Sequence, residues 1–366
     1  MWKTFAWLLV WTPSALAQAH FTAHSVADGL TGGYQVIIAD MNHDGKPDLI
    51  ALASGLKELS WYENPGWQKH VIVTDIKQPI NVAVVRIGSD GVPVLALAHE
   101  FSPSAARSIG IVSILEHKGD TWTRTDIDKL PTSHRLRMFN GLLVNAPLTN
   151  ADAKPPDYRG AIPLVAYQPG QWKRQLITDA DEGVLHCIYP VDWDGNGKEA
   201  LLTASFQGIH LIRANHDGTF QRTKLTGGSP EPWPKSGASD VAVGHLGKQR
   251  FMASIEPWHG NEVAVYTERD GAWSREVIDS SLVDGHTLVV ADLDGNGRSV
   301  IVAGYRGKGA SVNMYRFDGK SWVKSVLDDG GMAGAGCAVG DLNGDGRLDI
   351  ACIGTSTANL KWYENR

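Results

Sequence analysis

The stretch Asp40-Met-Asn-His-Asp-Gly45 stands between two short apolar runs, Val36-Ile-Ile-Ala39 and Leu49-Ile-Ala-Leu52. The same order of apolar run, acidic loop and apolar run returns with loops at residues 192–197, 292–297 and 341–346. Short apolar runs that are bounded by Gly-rich turns predict buried β-strands. The recurrence of such a unit indicates an array of repeats rather than a series of unrelated domains.

Three weaker copies of the unit fill the gaps between the acidic loops. They carry Arg86, Asn140 and His245 where the strong copies carry their first Asp, so the loops begin at residues 40, 86, 140, 192, 245, 292 and 341. An interval of about 50 residues is the size of one four-stranded propeller blade. The predicted fold is therefore an all-β, seven-bladed β-propeller of four-stranded antiparallel blades.

The two ends of the repeat array are predicted to meet in one blade. The last repeat stops at Arg366 after its third strand, and residues 20–26 have the pattern of a fourth strand. An N-terminal strand that completes the last blade would close the ring and remove an open sheet edge. We therefore expect residues 18–366 to form a single propeller domain.

Residues 1–17 resemble a secretion signal. Lys3 gives a positive start, residues 5–11 form a short apolar core, and Ala15-Leu-Ala17 is a small-residue cleavage site. The core is too short to span a bilayer, so we expect a secreted or periplasmic protein with no membrane span. A retained N-terminal anchor is the alternative. The net charge of −6, without a Lys/Arg-rich run, argues against nucleic acid as a partner.

Oxygen-bearing side chains at alternate positions before a Gly turn are the ligand pattern of a calcium loop. The first and last loops also carry a later carboxylate, whereas Ala200 and Val300 occupy that position in the middle two. An Asx turn without metal would explain the same residues. The candidate structural Ca²⁺ ligands are Asp40, Asn42, Asp44 and Asp48, then Asp192, Asp194 and Asn196, then Asp292, Asp294 and Asn296, and finally Asp341, Asn343, Asp345 and Asp349.

Three cysteines, Cys187, Cys337 and Cys352, lie in predicted strands, where the simplest interpretation is small buried apolar residues. Cys337 and Cys352 flank one predicted hairpin and could face each other. The sequence leaves a disulfide between them open, because directly opposed strand positions often strain its geometry.

The repeated pattern resembles the FG-GAP/VCBS repeat family over most of residues 33–366. The resemblance implies a calcium-bearing β-propeller. It does not specify an activity, because propellers of this kind serve as adhesins, lectins, scaffolds and enzymes.

The acidic loops lie on one face of such a ring, so the opposite face is reached about six residues before each loop. The residues at these positions are Tyr34, Ile80, His134, His186, Ser239, His286 and Ala335. Three of them are His at one structural offset. The ends of the second strands add His99, Glu100, Glu256, Trp258, His259, Tyr305 and Arg306. We expect one pocket at the mouth of the central channel to be lined by His99, His134, His186, His259, His286, Glu100, Glu256 and Arg306.

Converging neutral imidazoles suit Zn²⁺ or another transition metal with an open coordination position. Crowding predicts depressed pKa values for some of these His. Arg306 is suited to stabilising an anionic oxygen such as an enolate. Glu100, Glu256, Trp258 and Tyr305 are the candidate substrate-binding residues, the two aromatic rings serving as a platform for a sugar. For any single His, a strand-end imidazole bonded to the backbone is the alternative.

Residues 256–261, residues 134–137 with 145–148, and residues 286–307 resemble the propeller portion of aldos-2-ulose dehydratase-like sugar lyases. The resemblance implies proton abstraction next to a carbonyl of an oxidised (keto) sugar, followed by β-elimination. In this hypothesis His134, His186 and His286 form the base or metal cluster, His99 or His259 is the acid, and Arg306 stabilises the enolate. A non-catalytic carbohydrate- or protein-binding propeller is the alternative, and a pure scaffold would need no His cluster.

Overall fold

The computed structural model describes residues 20–366, which form seven antiparallel sheets of four strands each. The first strand is β1 (Phe21–Asp28). Blade 1 contains β2 (Gly33–Ala39), β3 (Asp48–Ala53), β4 (Leu59–Glu63) and β5 (Gln68–Val73). Blade 2 contains β6 (Asn81–Ile87), β7 (Pro93–His99), β8 (Ile111–Lys118) and β9 (Thr121–Lys129), with a 3₁₀ turn at Ala105–Arg107. Blade 3 contains β10 (Ser133–Phe139), β11 (Leu142–Pro147), β12 (Ala161–Tyr167) and β13 (Arg174–Glu182).

The remaining blades repeat this order from the innermost to the outermost strand. Blade 4 contains β14 (Leu185–Val191), β15 (Ala200–Ser205), β16 (Gly208–Ala214) and β17 (Phe220–Thr226). Blade 5 contains β18 (Asp240–Leu246), β19 (Gln249–Glu256), β20 (Glu262–Arg269) and β21 (Ala272–Asp279). Blade 6 contains β22 (Gly285–Ala291), β23 (Val300–Tyr305), β24 (Ser311–Phe317) and β25 (Trp322–Asp329). Blade 7 contains β26 (Gly334–Gly340), β27 (Asp349–Gly354) and β28 (Asn359–Asn365), together with β1.

The N-terminal strand closes the ring, as the sequence predicts. β1 pairs antiparallel with β28, from Phe21 opposite Asn365 to Asp28 opposite Asn359. The seven-bladed all-β prediction is confirmed. The predicted signal peptide, residues 1–17, lies outside the described residues, and secretion stays a prediction. Within residues 20–366 no helix has the length and hydropathy that a membrane crossing requires.

The second strand of each blade lies between two layers of apolar side chains, because neighbouring blades pack face to face. Every residue of β3, β15 and β27 is buried, which explains why their sequences read as continuous apolar runs. In the outermost strands, such as β9 and β13, many residues are exposed to solvent. The core is thus a ring of packed interfaces around a central channel.

A cross-strand disulfide joins Cys337 to Cys352 in blade 7, which settles the pairing that the sequence left open. The two cysteines lie directly opposite each other in β26 and β27. Cys187 is a buried free thiol.

The carboxylates of Asp48 and Asp349 are not free in their loops, because both oxygens of each accept backbone hydrogen bonds. Asp48 is fully buried, and its two oxygens accept the backbone N–H groups of Met41 at 2.7 Å and Asn64 at 2.9 Å. The Asn64 amide in turn donates to the Leu342 carbonyl of blade 7 at 2.6 Å. Asp349 makes the equivalent bonds one blade earlier. The later carboxylate of the first and last loops therefore holds adjacent blades in register.

The first Asp of each acidic loop accepts backbone hydrogen bonds from the turn that follows it. In the first loop, Asp40 accepts the N–H groups of Asp44 at 3.2 Å and Gly45 at 2.9 Å. The same bonds recur at Asp192, Asp292 and Asp341. The Asx turn that the sequence offered as an alternative is also present, since Asn42 Oδ1 accepts the Asp44 N–H at 3.1 Å and Asp44 Oδ1 accepts the Lys46 N–H at 2.9 Å. Calcium at these loops stays a prediction.

The four loops differ in the charge that the third strand places beside them. Arg213 forms a two-point ion pair with Asp194 in blade 4, with N–O distances of 2.9 and 3.1 Å. Arg316 pairs with Asp294 in blade 6 at 3.0 Å. The corresponding residues of blades 1 and 7 are Glu63 and Glu364, as the strand register shows. The third strand thus places an arginine beside each middle loop and a carboxylate beside the first and last loops. In those two loops Asp44 and Asp345 pair instead with Lys46 and Arg347 of the loop itself, at 3.7 and 3.1 Å.

Adjacent blades are also joined by tyrosine–carboxylate pairs near their outer edges. In each pair a third-strand tyrosine donates to an Asp at the end of the preceding blade's outer strand, with a basic side chain on the same carboxylate. The three pairs are Tyr167 with Asp128 at 2.5 Å and Arg174, Tyr315 with Asp279 at 2.6 Å and Lys324, and Tyr363 with Asp328 at 2.8 Å and Lys361. These pairs link the end of each of these blades to the next blade.

We expect Asp279→Asn to lower the free energy of unfolding by about 2 kcal/mol at pH 7. Burial alone would raise the pKa of Asp279, but the hydrogen bonds from Lys324, Tyr315 and Ser281 outweigh it and lower the pKa to about 2. A lowered folded-state pKa stabilises the fold above the unfolded value of 3.8. That stabilisation is lost as the pH falls through about 2. Urea unfolding between pH 3 and pH 7 measures the difference.

The exposed Asp270 provides the control, since Asp270→Asn removes a similar charge from the turn between β20 and β21. Equal effects of the two substitutions at pH 7 would contradict the role of Asp279 at the interface.

We propose calcium for the first and last loops, where no third-strand arginine supplies the positive charge. Added Ca²⁺ should then raise Tm of the wild-type chain, and Asp40→Asn should reduce that rise. The matched control is Asp192→Asn. It replaces the equivalent carboxylate, which accepts backbone N–H groups, in a loop whose Asp194 is paired with Arg213. Differential scanning calorimetry with and without Ca²⁺ measures the shifts. A wild-type Tm that does not respond to Ca²⁺ would rule the proposal out.

Candidate active site

Four His rings meet at the end of the central channel that lies opposite the acidic loops. His134, His186 and His286 are each the second residue of an innermost strand. The ring centroids of His134 and His186 are 5.1 Å apart, and those of His186 and His286 are 5.2 Å apart. His259, which follows β19, brings its ring to 5.0 Å from His186 and 5.2 Å from His286. The predicted convergence of these four His is thus found in the structure.

A β-bulge explains why the residue six positions before the acidic loop directs its side chain toward the channel. In five blades the ladder register shifts at the second residue of the innermost strand, which has no partner on the second strand. A bulge redirects the side chain of the extra residue. The residues at these five bulges are Tyr34, His134, His186, His286 and Ala335. Repetition of the bulge around the ring therefore assembles the site.

Three of the four imidazoles lie close enough together that they could hold one metal ion. One nitrogen from each of His186, His259 and His286 lies within 4.8 Å of the others. The Nε2 atoms of His186 and His259 are 3.4 Å apart. Two nitrogens that are each about 2.0–2.1 Å from one tetrahedral Zn²⁺ have about this separation. The sequence hypothesis that His134, His186 and His286 form the base or metal cluster stays a prediction, and His259 joins it as a further candidate ligand.

Backbone carbonyls set the protonation of two of these rings. His186 Nδ1 lies 3.1 Å from the Ser239 carbonyl oxygen, and His286 Nδ1 lies 2.6 Å from the Ala335 carbonyl oxygen. A carbonyl only accepts, so both rings carry their proton on Nδ1 and present a lone pair on Nε2. His286 Nε2 is buried and has no hydrogen-bond partner within residues 20–366. Such outer-shell bonds orient His ligands in metal sites.

His259 sits between an obligate donor and an obligate acceptor. Its Nδ1 lies 3.2 Å from Arg306 Nη2 and 3.3 Å from Asp284 Oδ1. Arg306 and Asp284 form a two-point ion pair, with N–O distances of 2.9 and 3.1 Å. Arg306 favours a proton on Nε2 of His259, whereas Asp284 favours a proton on Nδ1. The ring can therefore switch tautomer and offer its Nε2 lone pair when a cation binds.

The four imidazoles are neutral at neutral pH. Burial, and after it the charge of Arg135, places the pKa of His134 and of His186 well below the usual value. Burial and then Arg306 do the same to the pKa of His286, and they lower the pKa of His259 to about 3. Neutral imidazole is the form that binds a metal or accepts a proton.

His134 pairs with a tyrosine that the sequence did not select. Tyr34 Oη lies 2.7 Å from His134 Nε2, and both residues are buried. The Tyr34 ring also lies edge-on to His286, with centroids 5.0 Å apart. Tyr34 thus contacts both His134, with which it shares a hydrogen bond, and His286, one of the candidate metal ligands.

Two predicted site residues belong to structural networks instead. His99 Nε2 bonds Ser113 Oγ at 2.8 Å within blade 2. Glu256 is fully buried and accepts from Tyr266 Oη at 2.5 Å and from Arg275 Nε at 2.8 Å. Both side chains are held inside their own blades, so the structure does not place them among the four His.

Glu100 and Tyr305 also lie apart from the cluster. Glu100 has a positive φ of 51°, and its carbonyl accepts two backbone N–H groups in a turn. Tyr305 packs against the apolar core of blades 5 and 6. Their side chains make no ring contact or hydrogen bond with the four His among the residues that the structure describes.

Trp258 lies where the sequence placed it, at the edge of the His cluster. Its ring centroid is 4.7 Å from that of His259. Tyr158 and Phe206 continue the same aromatic wall, with centroids 5.6 and 5.8 Å from Trp258. Aromatic faces of this kind suit the apolar faces of sugar rings.

Sequence reasoning missed Tyr34, Arg135, Ser239 and Asp284 as site residues. Tyr34 and Ser239 lie six residues before their loops, the same spacing that identified the three His. The spacing could have found them, but they were not selected because they are not His. Arg135 follows His134 directly and donates through Nε to the His186 carbonyl at 3.0 Å. Asp284 precedes β22 and is identified by its contacts with His259 and Arg306 in the structure.

A cavity of about 400 Å³ fills the central channel next to this cluster. Tyr34, His286 and Arg135 line one part of it. Arg137 and Asp240 also line it, together with apolar residues of the innermost strands. The cavity gives a small polar molecule room beside Tyr34 and His286.

The sequence model of the aldos-2-ulose dehydratase β-propeller domain matches residues 110–269. Aldos-2-ulose dehydratase from Phanerodontia chrysosporium is 28% identical over 238 residues, which make up 54% of this chain and 26% of that enzyme. The matched region thus spans about a quarter of the length of the curated relative. The FG-GAP/VCBS resemblance stays a prediction.

Solved structures with the same fold cover nearly the whole chain. Virginiamycin B lyase from Staphylococcus aureus aligns with a TM-score of 0.60 at 11% identity, over 94% of this chain and 99% of its own. A protein of unknown function from Bacteroides thetaiotaomicron aligns with a TM-score of 0.51 at 10% identity, over 95% of this chain and 77% of its own. At these identities the likeness shows the fold alone. The chain is a seven-bladed β-propeller that resembles the propeller domain of a sugar dehydratase.

Proposed function

We propose that this protein is a metal-dependent lyase that removes water from an oxidised (keto) sugar. The observation that carries the proposal is the set of three neutral imidazoles, His186, His259 and His286, with ring nitrogens within 4.8 Å of one another. The resemblance to a sugar dehydratase supports the substrate class and the reaction.

The three imidazoles would hold Zn²⁺ through nitrogen and leave a coordination position open to the substrate. A bound Zn²⁺ supplies Lewis-acid polarisation of the substrate carbonyl. The Ser239 and Ala335 carbonyls keep two of the rings in the tautomer that offers Nε2. The ion pair of Arg306 with Asp284 orients the third ring.

Tyr34 and His134 would move the proton. Tyr34 lines the cavity, and His134 lies behind it at 2.7 Å. Tyr34 Oη takes the proton from the carbon next to the carbonyl while its own proton passes to His134 Nε2. As the carbon–carbon double bond forms and the β carbon–oxygen bond breaks, the proton returns through Tyr34 to the leaving hydroxyl. The products are an unsaturated carbonyl compound and one water.

The aromatic wall of Trp258, Tyr158 and Phe206 would bind the apolar face of the sugar. The same wall favours the rival function, a propeller that binds carbohydrate without chemistry. Binding of a keto-sugar without formation of an unsaturated product would support that rival.

His286→Ala should remove one metal equivalent from the protein. We expect wild-type protein that has been stripped and reloaded to hold one zinc at this site, and Co²⁺ in its place to give the visible absorption of a tetrahedral nitrogen site. The exposed His216 provides the control, since His216→Ala should change neither readout. Metal content by mass spectrometry and the Co²⁺ spectrum measure the outcome. Equal metal content in His286→Ala and wild type would contradict the proposed site.

Tyr34→Phe should lower kcat on a reactive keto-sugar by about 10²–10⁴-fold, the usual contribution of a positioned acid–base group. The metal content should stay unchanged, because Tyr34 is not a proposed ligand. Ultraviolet absorbance of the unsaturated carbonyl product follows the reaction over a panel of keto-sugars. An unchanged kcat would remove Tyr34 from the mechanism, and a panel without any product would leave the binding function as the better explanation.

A further inference from the structure

The central channel contains a pair of arginines that the proposed elimination does not need. Arg135 and Arg137 lie two positions apart on β10, so their side chains leave the same side of the strand. Both line the cavity of about 400 Å³ that also contacts Tyr34 and His286. Two positive charges therefore face the space next to the candidate metal site.

Neither guanidinium has a carboxylate partner. No N–O distance of 4.0 Å or less joins Arg135 or Arg137 to an Asp or Glu within residues 20–366. Other part-buried arginines of the chain do have such partners, as Arg222 has Asp181 at 2.8 Å and Arg275 has Glu256 at 2.8 Å. The pair in the channel thus departs from the pattern that the rest of the molecule follows.

Neutral groups account for only part of the donor capacity of the two arginines. Arg137 Nη1 donates to Asn81 Oδ1 at 3.1 Å and to the Leu136 carbonyl at 2.7 Å. Arg135 Nε donates to the His186 carbonyl, and Arg135 Nη2 lies 3.4 Å from His186 Nε2. Each guanidinium has five N–H donors, so both have donors left for a ligand.

Asp240 is the one carboxylate that lines the described cavity, and it does not balance both arginines. Its Oδ1 accepts the Val241 N–H at 2.9 Å. Burial raises the pKa of Asp240, while burial and then Arg135 lower the pKa of Arg137. Two guanidinium groups against one carboxylate give the cavity lining a net positive charge. Unpaired charges in a buried setting are costly unless a ligand compensates them.

We propose that Arg135 and Arg137 form an anion site that binds the carboxylate of the substrate in the central channel. Guanidinium groups match carboxylates through paired N–H···O bonds. Because Arg135 Nη2 lies 3.4 Å from His186 Nε2, a carboxylate held there lies beside the candidate metal site. Resting on the proposed function, this assigns the substrate class as a keto-sugar acid, with its carbonyl near the three His and its carboxylate on the arginines.

The test is isothermal titration calorimetry of the full, zinc-loaded chain with three probes. 2-Keto-D-gluconate has both a carbonyl and a carboxylate, D-fructose has the carbonyl alone, and inorganic sulfate is an anion without a sugar. We expect 2-keto-D-gluconate to bind most tightly. Arg137→Gln should weaken that binding by about 10- to 100-fold, the usual effect of losing hydrogen bonds to a charged group, and leave D-fructose unchanged.

Two further variants keep the result interpretable. Arg137→Lys retains a positive charge without the two-point geometry, so it should bind the acid with intermediate affinity if Arg137→Gln fails to fold. The exposed Arg269 serves as the matched control, since Arg269→Gln should bind all probes like the wild type. Equal affinities of wild type and Arg137→Gln for 2-keto-D-gluconate would overturn the proposal. So would tight, Arg137-dependent binding of sulfate without binding of the sugar acid.

The anion site and the lyase function can fail separately. His286→Ala should lose the metal and still bind 2-keto-D-gluconate through the arginines. Arg137-dependent binding of the acid without turnover by the wild type would support the anion site and contradict the lyase. Turnover of neutral keto-sugars, with no Arg137-dependent binding of the acid, would do the reverse.

Discussion

The β-bulge at the second residue of the innermost strand is the constraint on which the candidate site depends. Five blades carry it at the same place, and each directs one side chain or backbone carbonyl toward the channel end opposite the acidic loops. Three of the bulge residues are His, one is the Tyr that pairs with His134, and the fifth, Ala335, supplies the carbonyl that fixes His286. Because the same bulge recurs in five blades around the ring, the side chains at the bulges come together in one cluster.

The two faces of the ring use carboxylates in different ways. On the loop face, Asp48 and Asp349 bind backbone N–H groups and hold neighbouring blades together, and Arg213 and Arg316 neutralise the middle loops. On the His face, Asp284 contacts Arg306 and His259 at the edge of the cluster. In the channel between them the carboxylate of Asp240 is outnumbered by two arginines. These structural charges are therefore paired, whereas Arg135 and Arg137 in the cavity have no carboxylate oxygen within 4.0 Å among residues 20–366.

The sequence was sufficient for the fold because the repeat interval and the apolar runs depend only on residue types and spacing. The same spacing located His134, His186 and His286, and with them the end of the channel where the four His rings meet. It could not tell that a ring nitrogen of His259 approaches those of His186 and His286, because that depends on ring directions set by contacts such as the one between His259 and Arg306.

Glu256 and His99 show a second limit of the sequence. Both come at the end of a second strand, as the pocket hypothesis requires, but strand alternation turns them into their own blades, where Tyr266, Arg275 and Ser113 bind them. Position along a strand was predictable, whereas the side on which a strand-end residue lies required the actual register.

The measurement that tests the central claim most directly is X-ray absorption at the zinc K-edge of the zinc-loaded protein. The account predicts three imidazole nitrogens at about 2.0–2.1 Å and one further light-atom ligand, with multiple scattering from the rings. A zinc surrounded by oxygen ligands alone, or by a single imidazole, would contradict the claim that His186, His259 and His286 form one metal site.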